Sequence, residues 1–297
     1  MKRRYRKLMA MFAAAFMLFS VTFASVSASA QTRIKYTALG DSVTVGLSSY
    51  KSLNPVDYYG YADMLDDYLE IAFDVDYRNL GEEGLDSMEL LGMLTNDVVF
   101  QGKVAGSRIV TINIGSNNLL TPVLPTVAAA FGATDLKSLY DNIRKLSYSV
   151  AMARYAALDD PPSPLVQSFP AGVEVFKATF PGIITAVKTL APGAKIVVNN
   201  LYNPMQAGDA LYSFVDKHIR QINAVITENA PGSYVIANSY SSFKAYETSR
   251  LAVTFSGRNA ILAAKLGSYE AFLMAVDPHP TTFGHTLIFV RERNLLK

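Results

Sequence analysis

The sequence predicts an α/β protein in which a parallel sheet of roughly five strands lies between layers of helices. Two observations support this fold class. Five short segments have the composition of strands, and longer segments with apolar residues at helical spacing separate them. Strands that alternate with helices along a chain are typical of a parallel sheet covered on both faces. The predicted strands are 34–39, 73–77, 108–114, 195–200 and 234–237.

Helices are predicted in most of the segments between these strands. Pro181-Gly182 predicts a break or a kink within one of them, because proline removes a helical hydrogen bond. Residues 239–275 give no clear pattern, and the apolar segment 120–133 fits either the lining of a cleft or the core. We expect Thr281 to cap the last helix. The predicted helices are 58–71, 87–96, 136–157, 172–190, 209–229 and 281–292.

The first thirty residues have the pattern of a secretory signal peptide. A basic patch at 2–7 precedes an uncharged stretch, and Ala28-Ser29-Ala30 supplies the small residues that signal peptidase accepts. We therefore expect a signal peptide at 1–30, a single domain at 31–297, and secretion. The alternative is an anchor formed by an uncleaved N-terminal helix, because the apolar run approaches the length that spans a bilayer.

Charge and composition exclude several classes of function. Five of the 27 basic residues precede residue 31, which leaves 22 against 25 acidic residues, so nothing favours nucleic acid as a partner. The absence of cysteine and the presence of only three histidines argue against a zinc site. The loop 81–84 contains two carboxylates, and no glycine-rich phosphate motif occurs. We expect neither a metal nor a cofactor.

Polar loops follow the first three predicted strands, at 40–42, 81–84 and 115–118. Ligands of parallel sheets bind at the carboxyl ends of the strands, where these loops meet. Ser42 would present its hydroxyl there as a nucleophile. The alternative is that Asp41 or Ser42 only caps a helix.

A serine nucleophile needs a base, and histidine is the residue that titrates near neutral pH. His218 lies within a predicted helix beside Lys217, which indicates a solvated face, and His285 is expected to be packed or exposed. His279 lies between two prolines in a loop and is the predicted base. Asp277 is the predicted orienter, because residues two apart in an extended segment point to the same side.

A dyad is the competing arrangement, in which a backbone carbonyl, such as that of Val276, orients His279. The developing oxyanion requires preorganised donors. We assign these to the Ser42 N–H, the Gly84 N–H and the Asn117 side-chain amide. Asn117 alone would more often be a turn residue.

Four blocks of the sequence resemble the SGNH, or GDSL, hydrolases: Gly40-Asp41-Ser42, 79–84, 115–118 and 277–285. The blocks occur in the family order across nearly all of the mature chain. The resemblance implies a flavodoxin-like sandwich, metal-free hydrolysis of carboxylic esters through an acyl-serine, and oxyanion positions at Gly84 and Asn117. Two departures stand out. Asn118 replaces the usual acid, and Val276 occupies the usual position of the orienting acid, three residues before the histidine.

The sequence therefore predicts a secreted esterase or lipase that acts on an ester substrate: a lipid, an acylated small molecule or a glycan. One alternative is a polysaccharide O-deacetylase that uses the same site. The other is an exported binding protein on the same fold, with Ser42 catalytically silent. The sequence predicts neither the acyl chain length, nor the alcohol, nor the oligomeric state.

Overall fold

The computed structural model describes residues 31–49 and 58–297, so the predicted signal segment lies outside the described residues. Five parallel strands form one sheet in the order β2-β1-β3-β4-β5. This is the flavodoxin-like order, with its topological switch point between β1 and β3. The predicted fold class is confirmed. The strands are β1 Thr32–Gly40, β2 Phe73–Gly81, β3 Ile109–Asn113, β4 Lys195–Asn199 and β5 Val235–Ala237.

Helices cover both faces of the sheet. Those at Ser87–Asn96, Tyr212–Glu228 and Thr282–Leu296 confirm predicted helices. Thr281 caps the last of these helices, as expected, and its hydroxyl accepts a hydrogen bond from the Gly284 N–H at 3.1 Å. The helices are α1 Ser42–Val45, α2 Tyr61–Glu70, α3 Ser87–Asn96, α4 Val98–Val104, α5 Ser116–Leu120, α6 Val123–Ala130, α7 Leu136–Lys145, α8 Tyr148–Ala156, α9 Leu165–Leu190, α10 Tyr212–Glu228, α11 Ser239–Lys244, α12 Gly257–Lys265, α13 Tyr269–Ala275 and α14 Thr282–Leu296.

The single helix predicted at 136–157 is wrong, because the segment forms two helices. Leu146 has an extended backbone, and the Ser147 hydroxyl caps α8 by accepting a hydrogen bond from the Val150 N–H at 3.2 Å. Serine favours such a cap over a position within a helix, since its side chain competes for backbone hydrogen bonds.

Of the break or kink predicted at Pro181-Gly182, the break is wrong, because α9 runs without interruption from Leu165 to Leu190. Its buried face packs against α3 and α10, and this packing outweighs the one hydrogen bond that a proline removes. Gly182 serves close packing instead. A Cβ there would lie 3.1 Å from the Leu91 side chain on α3.

Two hydrophobic clusters lie on the two faces of the sheet. Because successive side chains of a strand point to opposite faces, β1 contributes to both. Tyr36 and Ala38 pack in the cluster that contains residues of α2 and α14, whereas Leu39 packs in the larger cluster with α3, α9 and α10. Helices α5 to α8, α12 and α13 extend this larger cluster beside the sheet. Among the described residues, none of the helices has the length and apolarity needed to cross a membrane.

Glu292 of α14 is fully buried in this fold. Its Oε1 accepts a hydrogen bond from the Asn199 side-chain amide at 2.5 Å, and its Oε2 has no hydrogen-bond partner among the described residues. Burial penalises the charged carboxylate and raises the pKa of Glu292 to about 8, although the bond from Asn199 opposes the shift. The side chain is therefore protonated in the folded protein at neutral pH.

Replacing Glu292 by glutamine tests this ionisation, because glutamine keeps the shape of the protonated acid and cannot ionise. Between the ordinary pKa of 4.5 and about 8, the folded state binds more protons than the unfolded state. Wild-type stability therefore falls with rising pH in this window, by at most about 1.4 kcal/mol per pH unit. We expect Glu292→Gln to unfold at a higher temperature than wild type at pH 8. The difference should shrink at pH 5, and a difference independent of pH would contradict this account.

Candidate active site

The site begins at the end of β1, where Gly40 is paired with Asn113 of β3. Gly40 has a φ of +151°, and a Cβ there would lie 2.1 Å from the Asn113 carbonyl oxygen, so only glycine fits. The next residue, Asp41, donates its N–H to the same carbonyl at 3.2 Å. This contact places Ser42 directly at the switch point, where the fold leaves a crevice.

Asp41, and not Ser42, caps the short helix α1. Its Oδ1 accepts a hydrogen bond from the Val43 N–H at 3.0 Å, and its Oδ2 accepts one from the Ser116 hydroxyl. The pKa of Asp41 is raised, because burial penalises the charged carboxylate more than these hydrogen bonds stabilise it. Because Asp41 holds both α1 and the start of α5, the Ser42 hydroxyl is left to face the site. Sequence reasoning missed Ser116, since its role depends on a contact between two loops.

Ser42, His279 and Asp277 form a continuous chain of hydrogen bonds. The Ser42 Oγ lies 2.9 Å from His279 Nε2, and His279 Nδ1 lies 2.7 Å from Asp277 Oδ1. The same Oδ1 accepts the backbone N–H of His279 at 3.0 Å. Asp277 is only 7% exposed, so its attraction to the imidazole is weakly screened by solvent. The arrangement of nucleophile, base and orienter is the one that activates a hydroxyl.

Hydrogen bonds from two other loops hold the loop that carries His279. The Tyr202 hydroxyl donates to the Pro278 carbonyl at 3.2 Å, and its ring stacks on Phe243 at 4.0 Å. The Ser49 N–H donates to the Pro280 carbonyl at 3.1 Å. Nothing in the local sequence around Tyr202 indicated this role.

Ser42, Gly84, Asn117 and His279 line one open pocket of about 250 Å³. Gly84 has a φ of +80°, a left-handed conformation that side chains disfavour, so this part of the pocket wall is a turn that favours glycine. The Asn117 amide donates to the Leu85 carbonyl at 2.9 Å, which fixes its orientation. A side-chain amide has two N–H donors, so one remains for a ligand. The structure thus brings all the predicted site residues together.

The other two histidines lie outside this pocket. The solvated face predicted for His218 is wrong, because the ring is buried between Phe169 and Phe214. Its Nδ1 lies 2.8 Å from the Phe214 carbonyl, and desolvation lowers the pKa of His218. His285, which is expected to be either packed or exposed, is fully buried. Its Nε2 lies 2.8 Å from the Leu47 carbonyl oxygen.

Asn118 points away from the pocket, although it occupies the position at which an acid is usual. Its Oδ1 accepts the Ser87 N–H at 3.2 Å, and its Nδ2 donates to the Ser87 hydroxyl at 2.9 Å. The amide therefore anchors the start of α3. An acid at this position would place its negative charge beside the N-terminus of α3. Within residues 31–49 and 58–297, no group of three or more acidic, histidine or cysteine side chains is arranged to hold a metal ion.

Comparison with solved structures finds enzymes to which this chain is similar, and two of them have TM-scores above 0.5. The lipase Lip_vut3 from a goat rumen metagenome is 18% identical, with 88% of this chain and 96% of that chain covered and a TM-score of 0.57. An extracellular lipase from Streptomyces rimosus is 16% identical, with 89% and 100% covered and a TM-score of 0.52. Axe2, an acetylxylan esterase from Geobacillus stearothermophilus, is 15% identical, with 89% and 94% covered and a TM-score of 0.48.

Comparison with curated proteins found no match. The sequence model of the GDSL-like Lipase/Acylhydrolase family, however, matches residues 38–287, which include every residue of the pocket described above. The chain therefore belongs to the GDSL-like lipase/acylhydrolase family of carboxylic ester hydrolases.

Proposed function

We propose that the protein hydrolyses carboxylic esters of lipids or small acylated molecules through an acyl intermediate on Ser42. The observation that carries this proposal is the chain of hydrogen bonds from Ser42 through His279 to Asp277, at 2.9 and 2.7 Å. The lipases of similar fold support an ester of this kind as the substrate.

In the first half of the reaction, the Ser42 Oγ attacks the ester carbonyl while His279 Nε2 takes the hydroxyl proton. Asp277 stabilises the imidazolium that forms and holds the ring in the productive tautomer. When the tetrahedral intermediate collapses, the bond to the alcohol oxygen breaks. His279 then returns the proton to this oxygen, and the alcohol leaves.

In the second half, His279 takes a proton from water as the water oxygen attacks the acyl carbon. The bond to Ser42 Oγ breaks, the proton returns to Oγ, and the carboxylic acid leaves. The N–H groups of Ser42 and Gly84 and the Asn117 amide act as the oxyanion hole in both halves. Removal of one such donor typically costs about 10² to 10³ in kcat.

The polysaccharide O-deacetylase remains a second candidate, because an acetyl ester needs the same catalytic groups. The silent binding protein differs from both in lacking an activated serine. Covalent labelling of Ser42 therefore separates binding from catalysis, and the acyl and alcohol preferences separate the two enzymes.

Labelling and kinetics together test the base. We expect a fluorophosphonate probe to label Ser42 in the wild type. The variant His279→Ala should lose labelling and at least about a thousandfold in kcat on p-nitrophenyl esters, because the hydroxyl then lacks a proton acceptor. The control His218→Ala should keep kcat within about tenfold once its folding is verified by circular dichroism. Efficient labelling and turnover in His279→Ala would contradict the assignment.

The variant Asp277→Asn distinguishes the triad from the dyad. It keeps the side-chain shape and removes the negative charge 2.7 Å from His279 Nδ1. A triad predicts a kcat loss between about tenfold and 10⁴-fold. It also predicts that the acid limb of the pH–rate profile moves to lower pH, because the charge that stabilises the imidazolium is gone. Wild-type kcat with an unshifted profile would instead support the dyad.

Export is part of the proposal, supported by the basic, apolar and small-residue pattern of residues 1–30. We expect the mature protein to begin at Gln31. Intact mass of the protein recovered from culture medium measures this directly. Recovery of only the full-length chain, in the membrane fraction, would favour the uncleaved anchor.

A further inference from the structure

A second cavity, of about 360 Å³, adjoins the pocket that contains Ser42. The two share Leu120, Pro278 and His279 among their lining residues, so they are adjacent at the Ser42–His279 hydrogen bond. The volume lies within the range of protein sites for small molecules. Leu124, which also lines the cavity, is 47% exposed, so the cavity extends to the surface of α6.

The walls of this cavity are apolar. They are built mainly by α6 from the apolar segment 120–133, by α7 and α8 from the predicted helix at 136–157, and by α12 and α13 from the segment 239–275 that gave no clear pattern. Among the described residues that line it, Tyr155 is the single polar side chain apart from Asp277 and His279. Val127 and Ala260 are typical of the remaining lining and contribute only hydrocarbon surface.

The hydroxyl of Tyr155 is already engaged. It donates to Asp209 Oδ1 at 2.8 Å, and Asp209 also accepts the backbone N–H groups of Gly257 and Leu211 at 2.8 and 3.1 Å. A sugar hydroxyl that entered the cavity would lose its hydrogen bonds to water and would meet mainly hydrocarbon, which is costly. An alkyl chain has no such bonds to lose and gains from burial.

We infer that this cavity holds the acyl chain of the substrate, so that the enzyme prefers esters of medium-length fatty acids to acetyl esters. The inference rests on the proposed ester hydrolysis at Ser42. A chain attached to the acyl carbon on Ser42 enters the cavity past Leu120 and His279.

The alcohol has a different route. It must return to water after the first half of the reaction, and the Ser42 pocket is bordered by the exposed residues Glu83 and Thr121. This polar opening suits a leaving alcohol, whereas the apolar cavity suits the group that stays bonded to Ser42.

The length of the acyl chain should therefore control the rate. Burial of each methylene in the cavity raises kcat/KM by up to about fourfold in the wild type. Over the roughly six methylenes that separate p-nitrophenyl octanoate from the acetate, we expect a preference of at least about a hundredfold. The leaving group is the same in both esters, so the comparison isolates the acyl chain.

Filling part of the cavity should weaken this preference. In Val127→Phe, a larger side chain replaces a half-buried one that lines the cavity on α6. We expect the octanoate-to-acetate ratio of kcat/KM to fall at least tenfold. The matched control is Ala129→Phe, which lies on the same helix, is exposed and does not line the cavity, and should keep the wild-type ratio. Ala260→Leu fills the cavity from α12 and should lower the ratio in the same way. It is the second test of the cavity if Val127→Phe folds poorly.

Three outcomes would overturn the inference. They are a wild type without acyl-length preference, filling variants with an unchanged ratio, and a dependence on the alcohol length of ethyl and octyl acetate that the filling variants remove. The failure of the proposed function has a separate signature, which is the absence of Ser42-dependent turnover on every ester.

A binding experiment tests the cavity without turnover. Calorimetry would measure decanoate binding to Ser42→Ala and to the double variant that also carries Val127→Phe. Binding weakened at least tenfold by Val127→Phe supports the cavity assignment, and equal binding to both proteins contradicts it.

Discussion

The hydrogen bond between Ser42 and His279 is the contact on which the proposed chemistry depends. It joins residues 237 positions apart, so the whole fold sets its length of 2.9 Å. A displacement of about 1 Å at such a contact can reduce a rate about 10²-fold. The structure fixes both partners through their backbones. Gly40 places Ser42 by its close approach to β3, and Tyr202 holds the loop of His279 through the Pro278 carbonyl.

Three buried carboxyl groups contribute to the fold or to the site, each in a different environment. Asp41 is buried but hydrogen-bonded by two elements, so it ties α1 to α5. Asp277 faces the imidazole and contributes its charge. Glu292 is buried with one of its oxygens unpartnered among the described residues, and burial raises its pKa to about 8. Burial disfavours all three charges, and only specific partners offset that cost.

Much of the fold and site could be predicted because the signals are local. Strands such as β3 are short apolar runs, and Ser42 and His279 stand in sequence blocks that occur in the family order. The spacing of Asp277 departs from that pattern, so the sequence leaves its role open between a triad and a dyad. Other features depend on contacts that sequence does not display. His218 has charged sequence neighbours, yet its ring lies between Phe169 and Phe214. The sequence anticipates the cavity only as one of two interpretations of the apolar segment that forms α6, because the cavity walls are short helices, for which apolar periodicity carries little information.

The most direct test of the central claim is to trap the acyl intermediate. The protein would be mixed with p-nitrophenyl octanoate, quenched with acid within the first turnover, digested and mapped by mass spectrometry. The account predicts an octanoyl ester on Ser42 and on no other residue, formed at least about a thousandfold more slowly in His279→Ala. Turnover that persists in Ser42→Ala, or an acyl group mapped to a different residue, would contradict it.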